Sequence, residues 1–213
     1  MRLILIGPPG SGKGTQGRLL AKHFNLPHIA TGELIRDEIA HQTAFGLEIE
    51  ATIANGNLLD DETALHLLTE RADVLQQGYI LDGFPRTVHQ AQLLLAIEKL
   101  GPLTAAVYYD IDDSEAIRRL SGRLTCPVCE RSYHVASELP KAEGICDDDG
   151  AELFRRPEDT AEAIVTRLRL FHQQTQPLLA YFEVLGLLVK VDGSVGPNNI
   201  FTNTVSLLAE KAI

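Results

Sequence analysis

Residues 7 to 15 read Gly7-Pro8-Pro9-Gly10-Ser11-Gly12-Lys13-Gly14-Thr15. They follow an apolar run, Leu3 to Ile6, and open a stretch of helical character from Lys13 to Phe24. Strand, glycine-rich turn, lysine and helix in that order form the context of a phosphate-binding loop. The glycines let backbone N–H groups turn inward around phosphate oxygens, and the helix N-terminus adds partial positive charge. Gly10, Ser11, Gly12, Gly14 and Thr15 are the candidate backbone cradle, and Lys13 is the point charge for the terminal phosphates. The usual pattern has Ser or Thr directly after the lysine. Here Gly14 stands in that place and Thr15 follows.

A second cluster has metal-ligand spacing. Cys126 and Cys129 are separated by two residues, as are Cys146 and Asp149, with 16 residues between the pairs. Two such knuckles can close a tetrahedral site. Three thiolates and one carboxylate leave no open position for water, so the expected metal is structural, with zinc favoured over other ions. Asp147 and Asp148 are rivals for the fourth place, and Asp149 is preferred because it repeats the spacing of the first pair. An odd, clustered set of three cysteines also argues against a disulfide framework and for a reducing compartment, the cytoplasm.

Other charged residues are candidates by position. Asp82 ends an apolar run, Tyr79 to Asp82, where an acid near a phosphate loop can hold Mg²⁺ directly or through water. Arg119 and Arg123 are four apart, and on a helix begun near Ser114 they would share one face. Two guanidinium forks on one face suit a polyphosphate.

These residues need a scaffold. Five short apolar runs, Leu3–Ile6, His28–Ala30, Tyr79–Asp82, Ala105–Asp110 and Leu188–Asp192, are continuous, which fits a parallel sheet covered on both faces. Helical periods separate them: apolar residues at 64, 65, 68, 72 and 75 over Asp61–Gln76, and at 164, 165, 168 and 171 over Thr160–Leu185. The alternation predicts a doubly wound α/β fold. Residues 30–59 read as helices without a strand. Residues 122–159 are rich in Gly, Pro, Cys and Asp. Both are expected as inserts at the carboxyl edge of the sheet, leaving 1–29, 60–121 and 160–213 as the core.

Composition bounds the partners. The chain has 213 residues, 45% of them hydrophobic, with 19 basic and 29 acidic residues and a formal charge of −10. That length buries a core without disulfides. The acidic balance makes nucleic acid a poor partner, while a local arginine cluster can still bind a small phosphate ligand. No signal peptide and no apolar run of about 18 residues are read, so neither export nor a membrane is expected.

The glycine after the lysine makes the loop resemble that of the adenylate kinase family, and the resemblance continues along nearly the whole chain. Thr31-Gly32-Glu33-Leu34-Ile35-Arg36 resembles a TG-acidic-x-x-R segment. Asp82-Gly83-Phe84-Pro85-Arg86-Thr87, with Gln90 beyond it, matches a DGFPRT signature. Arg119 and Arg123 match a pair before the lid, and Arg156-Pro157-Glu158-Asp159 with Arg167 resembles an R-x-D-D segment and its later arginine. The resemblance implies a Mg²⁺-dependent kinase that converts ATP and AMP reversibly into two ADP, working as a monomer. It implies that Arg36 and Arg86 hold the AMP phosphate and that Arg123, Arg156 and Arg167, with Lys13 and Arg86, surround the transferring group. Thr31 and Gln90 would contact the AMP base, with Gly83 and the backbone of Asn57, Leu58 and Leu59 beside them. On the ATP side it implies Arg119, Arg123, Ser132, Tyr133 and Val195. Some members have a lid with aspartate as fourth metal ligand, as here. Asn57, where many relatives have lysine, and Pro157 depart from the pattern, and the proline could stiffen a lid hinge. A kinase for UMP or CMP is the alternative within the class. A phosphate-loop regulator without an acceptor is the alternative outside it.

Overall fold

A computed structural model describes residues 1–55, 57, 59–69 and 75–211. Its centre is a parallel five-stranded sheet in the order β2-β3-β1-β4-β7, made by β1 (Arg2–Ile6), β2 (His28–Ala30), β3 (Tyr79–Asp82), β4 (Ala105–Asp110) and β7 (Leu188–Asp192). β1 is the middle strand, with Leu5 level with Asp82 of β3 and Ile6 level with Tyr108 of β4. Alternate residues feed two cores. Ile4, Ile6, Leu81 and Ala106 pack on one face with Phe171, Leu178 and Phe182. Leu3, Leu5, Ile80 and Val107 pack on the other with Leu20, Ile200 and Leu208. Both faces are covered, as the continuous apolar runs require.

The edge strand β7 departs from that expectation. Val189 and Val191 are buried, while Lys190 between them and Asp192 after them are exposed. An outer strand has less cover from the layers, so a period of two returns there.

Helices flank the sheet: α1 (Lys13–Phe24), α2 (Thr31–Ala40), α3 (Ala44–Ala54), α4 (Asp61–Thr69), α5 (Val88–Leu95), α6 (Asp113–Ser121), α7 (Ala161–Leu170), α8 (Pro177–Val184) and α9 (Pro197–Lys211). The helix expected over 61–76 is described as α4; residues 70–74 lie outside the described residues. The single helix expected over 160–185 is broken. A π-helical turn at Phe171–Thr175 follows α7, and Pro177 then begins α8. Proline lacks the N–H that would continue the ladder, and it fits a first helical turn.

Within the 31–59 segment, α2 and α3 pack together around Ile35 and Ile49. Between 122 and 159 the chain forms a small antiparallel pair, β5 (Arg123–Thr125) with β6 (Ser132–His134), over a core of Cys126, Tyr133, Cys146 and Leu153. Among the described residues no helix is long and apolar enough to cross a membrane.

Candidate active site

The turn after β1 takes its shape from two glycines. Gly10 (φ 84°) and Gly12 (φ 89°) are left-handed, a region that L side chains rarely enter. A Cβ on Gly10 would also lie 3.0 Å from the Ala116 carbonyl oxygen. Gly12 precedes α1, and no side chain caps that helix start. Lys13 Nζ donates to the carbonyls of Gly7 (2.7 Å) and Pro8 (2.9 Å) and to Ser11 Oγ (3.3 Å).

The loop forms the floor of a cleft of about 670 Å³. Gly10, Gly12, Lys13, Gly14, Thr15, Asp82, Gly83, Arg86, Arg119, Arg123, Ser132, Tyr133 and Val195 line it, together with Arg36, Asn57, Arg156 and Arg167. Ser11 is buried beneath, with its hydroxyl on Lys13. Thr31, Leu59 and Gln90 border a smaller hollow of about 30 Å³, shared with Asn57, Gly83 and Arg86. Leu58 lies outside the described residues. Tyr133 reaches the cleft, but its hydroxyl turns into the small domain, to Cys146 Sγ and the Asp147 N–H.

The expected shared face of Arg119 and Arg123 is corrected. α6 ends at Ser121 with Gly122 as its cap, and Arg123 begins β5. Glycine is a poor helix residue, and a Cβ at 122 would collide with the His134 ring. The two arginines reach the cleft from different elements. Arg119 is held by Glu115 (2.6 Å) and donates to the Gly193 carbonyl (3.0 Å), beside Val195.

Fixed carboxylates and carbonyls aim the other arginines. Asp159 accepts two bonds from Arg123 (2.8 and 2.6 Å) and one from Arg167 (3.0 Å), while its own side chain is fully buried. Asp159 closes a short 3-10 turn begun by Pro157. Arg86 Nε donates to the Gly83 carbonyl at 2.8 Å. Gln90 Oε1 accepts from the Arg86 N–H at 2.7 Å, and Gln90 Nε2 donates to Asp61 at 2.7 Å. Asp159, quoted above only as the end of the R-x-D-D segment, and Asp61 hold these side chains in place, a part that the sequence reading gave to neither. Each lies far along the chain from a partner, so no local pattern marks the pairing.

The electrostatics are those of a site short of negative charge. Burial and then the neighbouring arginines 123 and 36 lower Arg156 to about 9. Burial and Arg123 lower Arg167 to about 10. Lys13 falls to about 8, chiefly because the cleft strips water from its ammonium, with Arg86, Arg167 and Arg123 adding repulsion against the attraction of Asp82. Crowded cations of this kind are relieved by a bound polyanion.

Comparison with known proteins agrees with this arrangement. The adenylate kinase family model matches residues 5–187. This chain belongs to the adenylate kinase family. It is a nucleoside monophosphate kinase by that membership. It is 39% identical to an adenylate kinase of Clostridium beijerinckii over 212 residues, 98% of each chain. It is 39% identical to one from Methanothrix thermoacetophila over 217 residues, 99% of each. With one from Acidothermus cellulolyticus it shares 42% over 201 residues, 92% of each.

The cysteine cluster is assembled outside the cleft. The ligand atoms of Cys126, Cys129, Cys146 and Asp149 all lie within 4.8 Å of one another. Cys129 Sγ and Cys146 Sγ are 3.5 Å apart, too far for a disulfide and close to the roughly 3.8 Å that two sulfurs on one tetrahedral zinc would show. The N–H groups of Val128 and Cys129 point at Cys126 Sγ (3.3 and 3.4 Å), as a knuckle around a thiolate requires. Asp147 and Asp148 are turned away to Arg131, which leaves Asp149 as the fourth donor. The set can hold a metal ion.

Proposed function

We propose that this chain transfers the γ-phosphoryl group of ATP to AMP, and returns it from ADP in the reverse direction. One observation supports this most: Lys13, Arg36, Arg86, Arg123, Arg156 and Arg167, from separate segments, all line one cleft over the phosphate loop. The Arg36, Arg86 and Gln90 set speaks against a regulator that only senses ATP, which has no need of groups for a second nucleotide.

ATP is placed with its phosphates on Gly10 to Thr15 and its adenine near Val195 and Arg119. AMP is placed with its base toward Thr31, Gly83, Gln90 and the 57–59 segment, and its phosphate on Arg36 and Arg86. An AMP phosphate oxygen attacks the γ-phosphorus, and the bond to the bridging β,γ-oxygen breaks. The attacking phosphate is already ionised, so no general base is needed. Lys13, Arg123, Arg156 and Arg167 face the charge that spreads over the transferring group, and Asp159 keeps two of them in place. Positioning and electrostatic stabilisation account for such a reaction. Mg²⁺, held near Asp82 directly or through water, would offset phosphate charge.

The 30–59 and 122–159 segments are assigned as inserts that close over AMP and ATP and keep water out, a motion already established for adenylate kinase lids. Core residues 1–29, 60–121 and 160–213 would remain in place. Zinc on Cys126, Cys129, Cys146 and Asp149 would order the small domain and take no part in transfer. Lys13→Met tests the assignment. Turnover should fall by about 100-fold or more with the fold unchanged by circular dichroism. Near-normal turnover would contradict it.

A further inference from the structure

Arg36 and Arg156 come from opposite walls of the cleft, one from α2 and the other from the base of the small metal-site domain. One carboxylate accepts a hydrogen bond from each of them. Glu130 Oε2 accepts from Arg36 Nη2 at 2.8 Å and from Arg156 Nη2 at 2.6 Å. Glu130 sits in the turn just after Cys129, so it ties that domain directly to the helical segment across the cleft. Its backbone has φ 57°, a left-handed conformation uncommon for a residue other than glycine, asparagine or aspartate. The turn itself is closed by the Glu130 N–H on the Cys126 carbonyl at 3.2 Å. Arg36 also meets Glu158 at 3.4 Å, a longer contact from the hinge. Glu130 thus makes the closest charged contact to both arginines.

We propose that Glu130 is an internal carboxylate that competes with the acceptor phosphate for the cleft arginines and so sets the affinity for the acceptor nucleotide. This rests on the reading of Arg36 as a ligand of the acceptor phosphate. Charge-assisted bonds to guanidinium are strong, and a carboxylate and a phosphate compete for the same forks. An acceptor phosphate taking the Arg36 fork must displace Glu130, and only the fraction of molecules with the carboxylate withdrawn binds freely. The observed dissociation constant rises in inverse proportion to that fraction. Removing the carboxylate while leaving the arginines therefore improves acceptor binding. Of its two partners Arg36 belongs to the acceptor site and Arg156 faces the transferring group, so the donor site on the phosphate loop feels this competition less.

The test uses the full, metal-loaded chain and isothermal titration with AMP alone and with ATP alone. Glu130→Gln keeps the side chain's size and Glu130→Gly relieves the left-handed turn, so an effect common to both belongs to the charge. Both should tighten AMP binding by about 3- to 10-fold. ATP binding should tighten by less than AMP binding. Arg36→Ala is the reference for the acceptor site and should weaken AMP. Unchanged or weaker AMP binding in both Glu130 variants, with Arg36→Ala weakened, would overturn the proposal alone. A parallel shift of AMP and ATP affinities would do so too, by marking a structural role. Unchanged AMP binding in Arg36→Ala would overturn both the proposal and the assignment of the acceptor phosphate.

Discussion

Lys13 is bonded to the carbonyls of its own loop, 2.7 and 2.9 Å away. It keeps its charge with difficulty, since burial lowers it from 10.5 to about 8. A bound polyphosphate places negative charge beside the ammonium and raises its pKa again. The sign follows. Between about pH 8 and the higher pKa of the complex, the free lysine is partly neutral and the bound lysine charged. ATP binding at pH 8 to 9 should therefore take up a fraction of a proton, and should take up almost none at pH 6.5. Titration calorimetry in buffers of different ionisation enthalpy measures this directly. No proton uptake at pH 8.5 would mean that Lys13 is fully charged before ATP arrives. The loop was legible because its chemistry is local: glycines at fixed offsets, a lysine and a helix start. Asp159 was not, because its bonds to Arg123 span 36 residues.

At the scale of elements, the sequence marks boundaries well where one residue dominates. α1 begins at Lys13 and ends at Phe24, as read, with Asn25 in the left-handed conformation at its end. It marks them poorly where neighbours decide. The four-residue spacing of Arg119 and Arg123 carried a helix begun near Ser114 through to Arg123, but Gly122 packed against His134 ends it first. The apolar period over 160–185 did not register the π-helical turn at 171–175. The metal knuckles were legible by spacing, and the choice among three consecutive aspartates became firm only when Arg131 was seen to hold two of them. The small core of that domain has few apolar members, so most of its order should come from the metal. Cys129→Ala should lower the metal content and the Tm, while kcat at low temperature changes less than either. Metal analysis with a thermal melt checks this, and an unchanged metal stoichiometry would contradict the ligand set.

Over the whole molecule, the topology explains why the cleft lies where it does. β1 is central, its chain leaves toward β2 on one side, and β4 lies on its other side. Open α/β sheets bind ligands at such a reversal, beyond the carboxyl ends of the strands. The five strands were readable because buried parallel strands are short continuous apolar runs. The gathering of Arg36, Arg86, Arg123, Arg156 and Arg167 was not readable from composition or period. A chain of charge −10 gives no hint of a cationic cleft, and only the family resemblance suggested it. The central claim is transfer between two bound nucleotides. Its most direct test is ADP formation from ATP and Mg²⁺ with AMP, UMP, CMP or GMP as acceptor in separate reactions. The account predicts rapid turnover with AMP and little with the other three. Slow loss of ATP with no transfer to any acceptor would contradict it.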